Sequence, residues 1–438
     1  MNRRLALWTG LGALLIARAA SAQDVTIGYQ GLPYKSTGEN NTGIQVSDDL
    51  ILHTGIGVEA GYDTNVFYSP AGPLGAPVGS SIVRVMPFLE LTNATRTGPV
   101  SRDVAVDARV GLLYRYYGSD NSDVKKYRSA TMPNAGLSIG LGNAGQFGFG
   151  VADVFSRIED APYQAQLGTV TNPLTRDNNQ LSLIGSWSPG GGRLTSQLRF
   201  TDMLDFYDAP YTYANATTNT LALDVAWKWL PKTAIFLDVQ QQYIYYFDNT
   251  TITDPATMAV VPAKDSAYPL RVTAGLRGLL TPKTSAVLSV GYVNGFYSGS
   301  GGSTTGFLGS TYAELALTVK VSELSRLVLG VRHDFLNAVI SSFSYEETAY
   351  ASYLQQIAGR LALDLSARYA YLSYEGTFVD PTQRGRVDNL FQAGASLDYF
   401  LRNWAYLGVG YSLLDNSSNI GADSYVKQQI FGRLGITY

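Results

Sequence analysis

The chain has 438 residues, with 45 Gly, 30 Tyr, no Cys, only 15% charged residues and a formal net charge of −3. Without Cys there are no disulfide frameworks or thiolate metal sites, and two His are a poor basis for a metal centre. The mildly acidic balance lacks the basic patch that phosphate recognition needs, which argues against nucleic acid as a partner. No cofactor is expected.

The chain opens on Met1-Asn2-Arg3-Arg4, a short basic head. An apolar run over residues 5–17 follows, and Ala20-Ser21-Ala22 fits the small-x-small cleavage rule. Residues 1–22 are therefore expected to be a signal peptide, too short for a comfortable spanning helix. Removing Arg3, Arg4 and Arg18 leaves 29 basic against 35 acidic residues, a net charge of about −6. No other segment approaches 18 consecutive apolar residues. Residues 23–49 are polar and turn-rich, and read as a periplasmic lead-in or a short plug.

Periodicity starts at residue 50. Leu52, Ile56, Val58 and Tyr62 alternate with His53, Glu59 and Asp63, the two-residue period of a strand with one oily and one wet face. A second strand sets Val83, Val85, Leu89 and Leu91 against Arg84 and Glu90. In the third, Val104, Val106, Val110, Leu112, Tyr114 and Tyr116 oppose Asp103, Asp107, Arg109 and Arg115. Thirteen alternating residues ending in Tyr match a tilted membrane strand with an interfacial aromatic girdle better than a soluble sandwich strand.

The signature then recurs in pairs around tight turns near 143–145, 189–192, 231–232, 281–283, 322–325, 358–359 and 402–403. Only the strand near 346–357 is weakly patterned. The last stretch, 424–438, puts Val426, Ile430, Leu434, Ile436 and Tyr438 on one face and Lys427, Gln429, Arg433 and Thr437 on the other. It resembles the closing strand of bacterial outer-membrane barrels, which implies recognition by the barrel-assembly machinery.

The count is about eighteen strands, even as an up-and-down barrel with periplasmic termini requires. Long connectors near 70–79, 118–128, 160–178, 207–218, 248–266, 298–306, 376–386 and 415–423 alternate with the short turns, as extracellular loops alternate with periplasmic turns. The expected fold is all-β: a transmembrane antiparallel up-and-down barrel over residues 50–438, in the outer membrane and surrounded by its lipid. Unpaired backbone groups in hydrocarbon cost several kcal/mol each, so such a sheet must close. Eighteen strands leave an aqueous lumen.

The wet parity supplies candidate lumen-lining residues that could touch a polymer. Early in the chain they are Arg84, Glu90, Asp107, Arg109 and Arg115. Arg199, Asp224, Asp238, Arg271 and Arg277 follow, then Arg332, Asp334, Arg368 and Arg433. Mixed signs argue against a single-sign selectivity ring and for pairing between neighbouring strands. Tyr117, Tyr246, Tyr374, Tyr406 and Tyr425 are candidate inward or rim rings on which sugars could stack. A hydrolase is disfavoured: a nucleophile needs an adjacent base, and only His53 and His333 exist, the latter on the apolar parity.

Gly61-Tyr62-Asp63-Thr64-Asn65-Val66-Phe67 resembles the opening motif of a β-barrel porin family associated with exopolysaccharide and capsule loci. Val331-Arg332-His333-Asp334-Phe335 resembles a recurrent pattern of the same family. The resemblance implies a conduit for polysaccharide across the outer membrane, working with a periplasmic polysaccharide-export protein. The alternative is a diffusion or substrate-specific uptake porin, in which a long loop such as 160–178 or 248–266 folds inward as a constriction.

Overall fold

Alternating apolar and polar residues give each strand one face for lipid and one for water, and eighteen of them close on themselves. The computed structural model describes residues 43–47, 50–72, 76–93, 104–142, 145–159, 175–209, 211–253, 258, 260–297, 311–402 and 404–438. The expected signal peptide and most of the lead-in lie outside the described residues.

The first six barrel strands are β1 (Ile51–Asp63), β2 (Ser80–Thr92), β3 (Val104–Tyr117), β4 (Ser129–Leu141), β5 (Phe147–Glu159) and β6 (Thr175–Trp187). Next come β7 (Leu194–Tyr207), β8 (Ala216–Leu230), β9 (Thr233–Tyr246), β10 (Leu270–Thr281), β11 (Thr284–Asn294) and β12 (Thr311–Ser322). The last six are β13 (Ser325–Asn337), β14 (Ser341–Ile357), β15 (Leu361–Phe378), β16 (Val387–Arg402), β17 (Ala405–Ser418) and β18 (Tyr425–Thr437). Each pairs antiparallel with the next, and β18 returns to β1 with Glu59 opposite Arg433 and Tyr62 opposite Ile430. The barrel therefore has no free edge. No helix among the described residues is long and apolar enough to cross a membrane.

The outer parity is apolar and uncovered. Val110 is 53% exposed and Val290 and Val409 are each 57% exposed, while Tyr and Trp gather at the strand ends. Exposed aliphatics in a closed ring form a belt that water would not tolerate and lipid does. The barrel is an outer-membrane one. Its wall has an irregularity at Pro87, outward on β2, where the ladder to β3 jumps from Val85–Tyr114 to Phe88–Gly111. Proline cannot donate to a ladder, so pairing lapses there.

Two connectors break the expected alternation. On the short-turn side, β2 and β3 are joined by the eleven residues 93–103. On the long-loop side, β13 and β14 are joined by only three, 338–340. The weakly patterned segment is β14, which has 17 residues and starts earlier than the sequence pattern indicates. Its first four residues are all buried, so no wet face shows in its pattern there.

Candidate functional site

Inward residues of neighbouring strands meet as charge pairs. Arg84 on β2 reaches Glu59 on β1 at 3.3 Å. Arg277 on β10 reaches Asp224 on β8 at 3.0 Å across the intervening β9. Asp224 faces Asp238 in register, a like-charge pair that Arg277 and Arg271 on β10 and Arg199 on β7 bracket. A longer run crosses four strands. Arg271 holds Asp334 at 2.5 Å, Arg332 reaches Glu346 at 3.2 Å, and Arg368 reaches the same carboxylate at 2.5 Å. Arg433 donates to Asp398 at 2.6 Å. Where these pairs sit, the lumen wall is polar with its charges matched.

The remaining candidates are placed more loosely. Arg109 lies over the Phe88 ring at 5.0 Å, and Arg115 over Tyr117 at 4.6 Å while donating to the Tyr127 carbonyl at 3.4 Å. Glu90 and Asp107 face inward near one another, and Asp107 is open to the lumen. Arg84, Arg115, Asp334, Arg368 and Arg433 are buried, so they act first as wall structure.

The five tyrosines face inward but do not offer open faces; all are under 9% exposed. Tyr117 sits under Arg115, Tyr374 under Arg386, and Tyr425 packs edge-on to Tyr68. Tyr246 accepts from Asn337 at 2.7 Å, and Tyr406 packs against Phe400. Tyr374, Tyr425 and Tyr246 owe their burial to the feature that most distinguishes this lumen, a turn that crosses it, whereas Tyr117 is buried with Val66, Ile82 and Phe431.

The short turn 338–340 is buried rather than exposed at the rim. Val339 packs with Tyr207 and Ala214 from the β7–β8 rim, with Tyr211 and Tyr213 alongside. Ala338 and Ile340 pack with Leu372, Tyr374, Leu390, Leu414 and Tyr425 from β15 to β18. In an eighteen-strand ring those two rims lie on opposite walls. The turn therefore bridges the mouth, and inward Leu372, Leu390 and Leu414 give this level of the β15–β18 wall an apolar layer where a wet lining was expected.

Polar bonds hold the turn. Buried Lys264, from the β9–β10 loop, donates to the carbonyls of Ala338 and of Ser341, the latter at 2.5 Å. Tyr297 donates to the Ser342 carbonyl at 2.8 Å. Burial pushes the Lys264 ammonium down to about 7, with Asp265 opposing. Of the two loops expected to constrict, 248–266 thus contributes Lys264, while most of 160–178 lies outside the described residues. The crossing element itself is one the sequence pattern did not single out.

The two motifs have structural uses. Gly61 lies at the β1–β18 seam, where a Cβ would stand 1.8 Å from the Ile430 carbonyl oxygen. Asp63 pairs with Lys427 at 2.9 Å and accepts from Gln429 at 2.6 Å. Asn65 fastens the following loop by donating to the carbonyls of Ser69 and Val426 at 2.8 and 3.0 Å. Phe335, on the apolar parity, is not lipid-facing: it packs among Tyr297, Phe343 and Tyr345. His333 is on the outer face, 2.6 Å from Glu347. Among the described residues no cluster of His, Asp and Glu is placed to hold a metal ion.

A closed eighteen-strand barrel with a lipid belt and a polar wall defines an outer-membrane channel or transporter. No family model and no curated protein matches the chain. Among solved structures it is similar to OccAB4 of Acinetobacter baumannii, at 12% identity over 91% of this chain and 100% of that one, with a TM-score of 0.45. It is also similar to a mutant ferric enterobactin receptor of Pseudomonas aeruginosa, PfeA (10% identity, 88% of this chain, 80% of that one, TM-score 0.45). A third is the siderophore receptor PirA of A. baumannii (8% identity, 90% and 81%, TM-score 0.43).

Proposed function

We propose that this barrel is a channel for small polar solutes, of the diffusion or substrate-specific uptake kind. The observation that supports this reading is the bridging turn 338–340, held by Lys264 and packed against both rims. Such a bridge divides the mouth into narrow passages, which suit single small molecules and obstruct a continuous polymer chain. A polar wall of mixed, largely paired charges imposes no strong charge preference. The test is swelling of proteoliposomes in a graded sugar series. Permeation of pentoses and hexoses with exclusion of tetrasaccharides is the expected result; free permeation of long oligosaccharides would contradict it.

Polysaccharide export, with a periplasmic export protein as partner, is the second reading and is favoured by the resemblance of the two short motifs. It requires the turn to swing out of the lumen. Deleting the gene and assaying surface and extracellular polysaccharide separates the readings: loss of polymer favours export, and an unchanged yield favours the solute channel.

A further inference from the structure

Behind the bridging turn lies a recess of about 140 Å³, enclosed by the upper ends of β7 to β10, the end of β13 and Val339. Drug-sized ligands take sites of about 300–1,000 Å³, so this one accommodates a single small ring. We propose that it is a binding site for one neutral, polyhydroxylated ring of hexose size, a proposal that rests on the small-solute reading above.

The lining carries this assignment. Gln240 and Gln242 both face inward on β9, spaced about 7 Å along the strand. Their side-chain amides have no protein partner among the described residues, and each offers a donor and an acceptor. Amides that face a recess without protein partners select a ligand that brings hydroxyls to pair with them.

The two carboxylates of the recess are already matched. Asp205 accepts from Arg176 at 2.7 Å and from Asn178 at 2.8 Å, and Asp334 is held by Arg271 at 2.5 Å. A charged ligand would find no uncompensated partner there, whereas hydroxyls can still donate to the free lone pairs of both carboxylates. The Lys264 amine is engaged by the carbonyls of the turn. Tyr207 and Tyr246 border the recess, but Arg176 lies over the first ring at 5.7 Å and Lys264 over the second at 5.4 Å, so the amides and carboxylates carry the recognition. Hydroxyl recognition by amides and neutralised carboxylates describes a sugar or cyclitol subsite.

The experiment uses the full mature protein in detergent, with calorimetric titration of D-glucose, D-galactose and myo-inositol. L-arginine, L-glutamate and maltotetraose serve as charge and size controls. Saturable binding of at least one of the three neutral rings is expected, with none of the controls bound comparably. The double variant Gln240→Leu/Gln242→Leu should weaken that binding about tenfold or more. Heat-modifiable gel mobility reports whether it is folded, and the control panel on the wild-type protein decides the matter if it is not. Absence of binding by all three rings, stronger binding of a charged control, or undiminished binding in a folded double variant would overturn the site. Bilayer conductance is read separately: a conducting protein that binds none of the rings keeps the channel and loses the site, whereas binding without conductance keeps the site and loses the channel.

Discussion

Lys264 shows what one buried amine can do in this mouth. Its pKa falls from the ordinary 10.5 to about 7 because docking the turn strips water from it; neighbouring Asp265 offsets only part of that cost. When the turn is released the amine regains water and binds a proton up to its ordinary pKa. Between pH 7 and 10.5 the released state therefore holds more protons, so docking strengthens as pH rises through that window, by at most about tenfold per unit. Below pH 7 both states are protonated and the slope vanishes. Single-channel records should show longer closed dwells at pH 9.5 than at 7.5, and Lys264→Met should remove that difference; a Met variant with the wild-type slope would show that another group sets it.

Glu346 is the opposite case, a buried carboxylate shared by Arg332 and Arg368. Glu346→Gln removes the carboxylate that Arg368 and Arg332 share and leaves Arg332 with Asp334 at 3.8 Å, and removing one partner of such a cluster costs about 3 kcal/mol. Urea unfolding in detergent should show a lower midpoint. Both arginines were visible in the sequence as wet-parity residues, but Glu346 sat in the one stretch whose faces the pattern could not sort.

At the scale of elements, parity alone located most strands, because hydrocarbon on one side and water on the other enforce a period of two. Where strands rise above the bilayer that pressure ends and the pattern fades. Phe335 and the start of β14 are examples: both are buried by Tyr297 and the turn rather than by lipid. The turn 338–340 was illegible for the same reason, since Ala-Val-Ile flanked by Ser and Asn reads as more strand rather than as a bridge across the lumen. The unmatched amides Gln240 and Gln242 carry no charge and left no signal. The apolar layer beneath the turn is an element-level feature too. Leu372 is fully buried, and Leu372→Ala should cost about 2–3 kcal/mol by cavity formation, measured by the same unfolding assay. A change near zero would mean that the layer is loosely packed.

For the whole molecule, closure and two-sidedness are one constraint. The ladder from Gly55–Thr437 to Asp63–Gln429 joins the first and last barrel strands, so no edge faces lipid. The two faces should then respond in opposite ways to the same substitution. Val110→Arg, on the outer belt of β3, should cost about 2–4 kcal/mol and lower the yield of assembled barrel. Asp107→Arg, three residues earlier and open to the lumen, should assemble normally. Equal yields of the two variants would show that the outer parity does not face lipid.

Single-channel conductance of the wild-type protein beside Val339→Asp is the most direct measurement, because it tests the barrel and its bridge together. A carboxylate placed among Tyr207, Ala214 and the neighbouring tyrosines should undock the turn, and the wild type's small steps should give way to steps at least about twice as large. Identical steps in the two proteins, or no steps in either, would contradict a channel narrowed by its own turn.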